Sequence, residues 1–318
     1  MNVDTLLVYG TSGSGKTTQL AELARELLGL GFTGRYAYAD SGDGPFGDLV
    51  SEDGPLQALD IASMCRPTAK KPKGNSPMSV LNALADGYWY KKTDKGMAFT
   101  NDVPSVDFYM FEGLFEFANL VMQDHVRGGR KIAEDVIGQF TVDLDTAGLF
   151  DEGGEAMTTP ITYASGQPGR AHYGHVQRYI MTDWWPRCKS LRTKFIVVTS
   201  HEADGKDDLD STKSVVGPAV IGQAGIGQVT QKFQDALHLT LDVVNKPNKE
   251  IDLVRKAWYV KHPQVTSTGV ASNSIFWPAK LSLPIETSKE FAKKHPGGFI
   301  DLSKNSISEI VKLRLKGK

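Results

Sequence analysis

No stretch of the 318 residues is apolar over the length that a membrane-crossing helix needs, so no bilayer span is expected. The chain runs from its first residues straight into a candidate strand, without the charged and apolar pattern of a secretory leader. Cysteine is scarce. Cys65 and Cys188 stand far apart, with no second cysteine or histidine pair at metal-ligand spacing. That excludes a disulfide framework and points to a reducing, cytoplasmic compartment, with both thiols as core or inert surface groups. Charge of one sign is also missing. Lys and Arg total 36 against 37 Asp and Glu, a net charge of −1, so no global basic field attracts nucleic acid and a polyanion must be met by local patches. Internal repeats and low-complexity linkers are absent too. At 40% hydrophobic and 23% charged, the composition is that of a globular chain with ample core.

What is present begins at Gly10. Gly10, Thr11, Ser12, Gly13, Ser14, Gly15, Lys16 and Thr17 spell G-x-x-x-x-G-K-[ST] without departure. The glycines allow successive backbone N–H groups to curl around phosphate oxygens. Lys16 places a point charge by the β and γ phosphates, and the Thr17 hydroxyl can ligate Mg²⁺. The context suits the motif. Thr5 to Tyr9 is a short continuous apolar run, as a buried parallel strand requires, and Leu20, Leu23, Ala24, Leu27 and Leu28 recur at helical spacing up to Gly29. Gly10 through Thr18 are therefore the expected ATP-binding residues, with Mg²⁺ as cofactor.

Further along, Tyr36 to Ala39 reads as a strand ending at Asp40, and Leu56 to Met64 as a strand returning to the sheet. Ser79 to Tyr90 reads as a helix. Val106 to Glu112 is a strong strand ending in a carboxylate, followed by Leu114, Phe117, Ala118 and Val121 on one helical face. Residues 127–170 show no period and are expected to form an irregular insertion. His172 to Ser190 reads as a helix that Pro186 breaks or kinks at its end. Lys194 to Val198 is a buried strand capped by Thr199, Ser200, His201 and Glu202. Val229 to Ala236 reads as a short helix, with His238 to Val243 and Ala257 to Val260 as paired terminal strands. Ser306 to Glu309 looks like a capping box opening a final helix. Alternating strands and helices imply an α/β fold with a mostly parallel sheet flanked by helices. The expected division is a nucleotide-binding core over residues 1–262 and a C-terminal extension over 263–318 that ends in a basic helix.

In such a sheet, ligands gather at the carboxyl ends of the strands. Glu112, after an apolar strand, is the candidate Mg²⁺ ligand, directly or through water. Asp40 is the first candidate for orienting or deprotonating water, ahead of Glu116 and Asp43. Asp107 lies early in the Glu112 strand and should face away from the nucleotide. Thr199, with Ser200 and His201, is a candidate for contact with a γ-phosphate, against a reading as a group satisfied by hydrogen bonds within its own loop. Arg170 and Arg178 are candidates for charge supplied to a neighbouring subunit's nucleotide, against a reading as solvated surface arginines. Basic clusters at Arg66–Lys73, Lys91–Lys95, Arg127–Lys131 and Lys312–Lys318, with Tyr88, Trp89 and Tyr90 nearby, could meet nucleic acid.

On Gly10–Thr17, Tyr36–Asp40, Phe108–Glu112, Phe195–Glu202, and Gly217-Pro218 leading into Val229–Leu239, the chain resembles phage-encoded P-loop NTPases with a RecA-like core. The resemblance spans roughly residues 3 to 260, and some members act in single-strand annealing and recombination. It implies an ATPase of the host cytoplasm that handles single-stranded DNA as a homo-oligomer, with ATP and ADP as its small-molecule partners. Three departures stand out. The strand-end carboxylate is Glu112 where Asp is usual. Gly42 occupies the place where a water-activating Glu is common, and the stretch from Arg127 to Arg170 is long. The alternatives are a nucleotide-stabilised assembly protein with slow turnover and a DNA-packaging type of ATPase, though no nuclease half is visible. A small-molecule kinase ranks last, because no Arg-rich lid is found.

Overall fold

The structure, a computed structural model, describes residues 3–39, 44–51, 54–66, 75–93, 96–123, 170–206, 214–221, 229–245, 251–265 and 271–316. Asp40, Gly42, Asp43, the Arg127–Lys131 cluster and nearly all of the expected insertion lie outside those residues.

Strand β1 (Asp4–Gly10) is buried along its whole length, which its run of apolar residues dictates. It pairs in parallel with β7 (Phe195–Lys206) on one side and with β9 (Asp235–Asn245) on the other. Beyond β7 come β6 (Phe108–Glu112), β2 (Gly34–Tyr38) and β3 (Leu56–Asp60), all parallel. The strand carrying Glu112 is thus one strand removed from the strand that feeds the phosphate loop. On the far side, β10 (Ile251–Trp258) returns antiparallel to β9, and β13 (Phe299–Asp301) pairs with β10. A separate hairpin joins β4 (Trp89–Thr93) to β5 (Gly96–Thr100).

Alternate residues of the central strands face two cores. On one face, Leu6, Val8, Phe195, Val197, Leu237 and Leu239 meet α1 (Lys16–Gly29), α7 (Ile285–Lys294) and α8 (Ser308–Lys316). On the other, Leu7, Tyr9, Tyr109, Phe111, Ile196 and Val198 meet α3 (Pro77–Ala85), α4 (114–123) and the helical run from Arg170. Leu114, Phe117, Ala118 and Val121 of α4 are all buried, as their spacing predicts. Residues 271–316 contribute to this architecture. Besides β13, the helix α8 is tied in by a buried bidentate pair, Arg314 to Asp235 at 2.8 and 3.1 Å, and Ile307 N–H donates to Gln19 Oε1 at 3.2 Å.

Several elements differ from expectation for identifiable reasons. Strand β3 stops at Asp60, whose carboxylate accepts the Ser63 N–H at 2.9 Å and opens the short helix α2 (Ile61–Cys65). Helix α3 starts at Pro77, capped by Ser76, and ends at Ala85. Trp89 and Tyr90 belong to β4, where aromatic residues fit a pleated surface. Pro186 does not end its helix. Helix α5 (Arg170–Arg178) continues through a π-helical segment, Tyr179–Trp184, into α6 (Trp185–Cys188). The proline has no N–H for the preceding turn and its ring crowds the carbonyl of Thr182, so the backbone widens just before it. Thr199 to Glu202 do not cap β7. The strand runs on to Lys206, and its second half pairs antiparallel with β8 (Ser214–Pro218), which carries β12 (Ala271–Trp277) and β11 (His262–Val265). Val229 to Ala236 holds only a 3₁₀ turn at Thr230–Lys232 before β9 begins. The capping box at Ser306 does not close: the Glu309 carboxylate takes His295 Nε2 and Lys294 Nζ, each at 2.8 Å, instead.

Candidate nucleotide site

Positive φ at Gly13 (78°) and Gly15 (95°) lets the loop between β1 and α1 fold back on itself. Gly10 is required for a different reason. A Cβ there would stand 2.3 Å from the Leu239 carbonyl oxygen of the adjacent strand. The first turn of α1 has no capping side chain and no acidic residue, so its N–H groups and dipole end are left to an anion. Lys16 Nζ donates to the carbonyls of Gly10 at 2.9 Å and Thr11 at 2.8 Å, spanning the loop. Ser14 Oγ is buried beneath the loop with no hydrogen-bond partner among the described residues.

Opposite the loop stands Glu112, 4% exposed at the end of β6. Its carboxylate accepts hydrogen bonds from two hydroxyls, Thr17 Oγ1 and Tyr36 Oη. The sheet produces this pairing: Tyr38 lies opposite Glu112 in the β2–β6 ladder, so Tyr36 sits two residues back on the same face. A hydroxyl and a carboxylate are hard oxygen donors of the type Mg²⁺ takes, and the ion keeps several waters and substrate oxygens as its other ligands. The residues present therefore fit that ion.

The loop, Glu112 and the middle of β7, Thr199 to His201, enclose a cavity of about 250 Å³. Of the expected binding residues, Ser12, Gly13, Gly15, Lys16, Thr17 and Thr18 line it, together with Glu112 and Thr199. Gly10 and Ser14 lie behind the lining, and Thr11 faces a neighbouring cleft beside Glu202. The Thr199 hydroxyl accepts the Gly113 N–H at 3.0 Å and so also holds the turn after β6. Asp107 sits at the far end of β6. Burial pushes its carboxyl up, but hydrogen bonds from Thr33 and the Lys194 ammonium at 2.9 Å outweigh that and hold it below the usual range. Arg178 is exposed on α5 and does not line the cavity.

Two contributors were not singled out for these roles from sequence. Arg255, in the middle of β10, reaches over the loop: a Cβ on Gly15 would lie 3.3 Å from its Cδ. Among the described residues its guanidinium makes no ion pair. Nothing in the run Ile251–Lys256 marks it, because only the pairing of β10 with β9 carries it to the loop. The second is a dyad. His201 lines the cavity and its Nε2 is 3.1 Å from Glu116 Oε1, while Glu116 Oε2 is buried with no hydrogen-bond partner among the described residues. Glu116 ranked behind Asp40 in the sequence, and its link to His201 needed the parallel pairing of β6 with β7.

The G-x-x-x-x-G-K-[ST] motif thus joins a buried strand to a helix in a mostly parallel α/β sheet flanked by helices, the setting in which such a loop can cradle phosphate. No family model matches the chain, and no curated protein does. Among solved structures, the flagellar accessory protein FlaH from Methanocaldococcus jannaschii matches over 81% of this chain and 77% of its own, at 10% identity and a TM-score of 0.40. No helix among the described residues is long and apolar enough to cross a membrane.

Proposed function

We propose that the chain is a Mg²⁺-dependent P-loop ATPase. The observation that carries this is the meeting of Lys16, the Thr17 hydroxyl and the buried Glu112 carboxylate around one cavity at an uncapped helix N-terminus. In this reading the N–H groups of Gly13 to Thr18 cradle the phosphates, and Lys16 turns from the loop carbonyls to the β/γ oxygens. Thr17 and Glu112 would hold Mg²⁺, which would supply charge neutralisation at those oxygens. Tyr36 fixes the Glu112 carboxylate from behind. His201, oriented by Glu116, is the described acid–base group placed to position the attacking water and take its proton. Arg255 adds positive charge over the phosphates from the same chain. The finer reading is of a phage-encoded protein that works on single-stranded DNA as a homo-oligomer in the host cytoplasm. It is supported by the sequence resemblance and the basic clusters.

Phosphate release from Mg-ATP, with and without a single-stranded oligonucleotide, tests the assignment in the parent and in Lys16→Ala. The variant should lose turnover, since among the described residues no other lysine lines the cavity. Equal turnover in both would remove the phosphate loop from the reaction. Stimulation by the oligonucleotide would support the DNA reading. A folded parent that binds ATP but turns it over slowly regardless of DNA would favour a nucleotide-stabilised assembly protein.

A further inference from the structure

Arg35, the second residue of β2, is 2% exposed, yet among the described residues no carboxylate pairs with it. Its Nη1 donates to Tyr109 Oη at 2.6 Å and its Nη2 to the Pro104 carbonyl at 2.9 Å. The rings of Trp89 and Tyr109 lie 5.2 and 5.6 Å from its Cζ. Its Nε is buried and, among the described residues, has no hydrogen-bond partner. A guanidinium in this position is costly unless a counter-charge arrives, because neither rings nor a neutral carbonyl replace a carboxylate.

The surroundings say where the counter-charge would come from. Arg35 lines a cavity of about 760 Å³, open to solvent, whose walls include Asn101, Ser105, Tyr109, Arg187 and Arg192. The acid in that lining, Asp86, is already taken by Arg187, through Nε at 3.0 Å and through Nη2. Among the described residues, three arginines against one carboxylate leave the lining with two formal positive charges in excess. Arg192 is exposed at the rim. Arg35 and Tyr109 are near the starts of β2 and β6, whereas the phosphate loop follows the end of β1, which runs parallel to them through β7. The cavity is therefore at the amino ends of these parallel strands, the opposite end of the sheet from the nucleotide site.

We propose that this cavity is a second anion site, built for a phosphate or phosphomonoester dianion. Guanidinium forks match tetrahedral phosphate oxygens with paired N–H donors, and two excess charges match a dianion. Asn101 and Ser105 supply neutral polar groups beside them. The phosphate could belong to a free phosphorylated small molecule or to the 5′ end of a nucleic acid strand. The inference does not rest on nucleotide binding at the loop.

Calorimetric titration with inorganic phosphate, against sodium chloride of equal ionic strength, tests the site. It is run in the full chain carrying Lys16→Ala, so that the phosphate loop contributes little. Anisotropy of a labelled oligonucleotide with and without a 5′-phosphate forms the second arm. Phosphate should bind where chloride gives no heat, and Arg192→Ala, a rim change that leaves the core intact, should weaken it at least tenfold. Arg35→Lys, which keeps the charge and removes the fork, should weaken it further. A preference for the 5′-phosphorylated strand that Arg192→Ala removes would assign the ligand to nucleic acid. A response to inorganic phosphate alone would assign it to a small molecule. Phosphate heats no larger than those of chloride, or affinity unchanged in both arginine variants, would overturn the proposal.

Discussion

Replacing Glu112 by Gln separates the charge at the candidate metal position from everything else that residue does. The side chain keeps its length, and the fold should tolerate the change. The amide oxygen can accept from one of the two hydroxyls, and the amide N–H₂ can donate to the oxygen of the other, so Thr17 and Tyr36 both retain a partner. The cost to the unliganded protein should stay within about 1 kcal/mol. The functional cost is larger. Two unit charges about 4 Å apart interact by about 4 kcal/mol at an effective dielectric of about 20. An ion shared with water and phosphate oxygens realises only part of that. Taking about 3 kcal/mol, turnover should fall on the order of a hundredfold. Steady-state phosphate release measured across a Mg²⁺ titration is the assay, with thermal unfolding of the unliganded chain as the control for folding. The half-saturating Mg²⁺ concentration should rise as the rate falls. Asp107→Asn is the companion variant. Its carboxylate lies at the other end of the strand, bonded to Thr33 and Lys194, and should affect stability while leaving turnover alone. A folded Glu112→Gln that turns over within threefold of the parent at every Mg²⁺ concentration, or an Asp107→Asn that reproduces the loss, would refute the reasoning.

Gly10→Ala should destabilise the chain by about 1–3 kcal/mol in urea unfolding, because the new methyl meets the backbone oxygen of Leu239 rather than a movable side chain; an unchanged midpoint would mean the strands separate cheaply. Arg255→Ala should leave unfolding untouched, since the side chain is exposed, and should lower kcat on the order of a hundredfold if its charge acts on the phosphates; an unchanged kcat would relegate it to the rim. Stability should also fall in mild acid. Burial holds His238 below the ordinary histidine range, against the opposing pull of Glu202, which sits 2.8 Å from its Nε2. A group whose pKa is lower in the folded state favours folding fully above its unfolded pKa of about 6.5 and loses that contribution as pH drops toward the folded value. The urea midpoint should therefore be lower at pH 5.5 than at pH 8, and His238→Gln should narrow that difference.

The phosphate loop, β1, α1 and the strand ending in Glu112 were all legible from residues 4 to 29 and 108 to 112. Their signals are local: a motif whose glycines answer to backbone geometry, an unbroken apolar run, and an apolar period of one helical face. The same holds for α4, whose apolar positions follow directly after Glu112. What the sequence could not announce depends on register between distant strands. Tyr36 becomes the partner of Glu112 because β2 and β6 align Tyr38 with it. Arg255 comes to lie over Gly15 because β10 folds back on β9. The second half of β7 extends because β8 is there to pair with it, although Thr199 to Glu202 read as a polar strand end. Pro186 sits inside a helix because buried neighbours, Trp184, Trp185 and Cys188, hold both flanks in place while the backbone widens. Local chemistry determined where the G-x-x-x-x-G-K-[ST] loop turns between its strand and its helix. Long-range pairing, which no single segment encodes, decided which carboxylate, hydroxyl and guanidinium surround it.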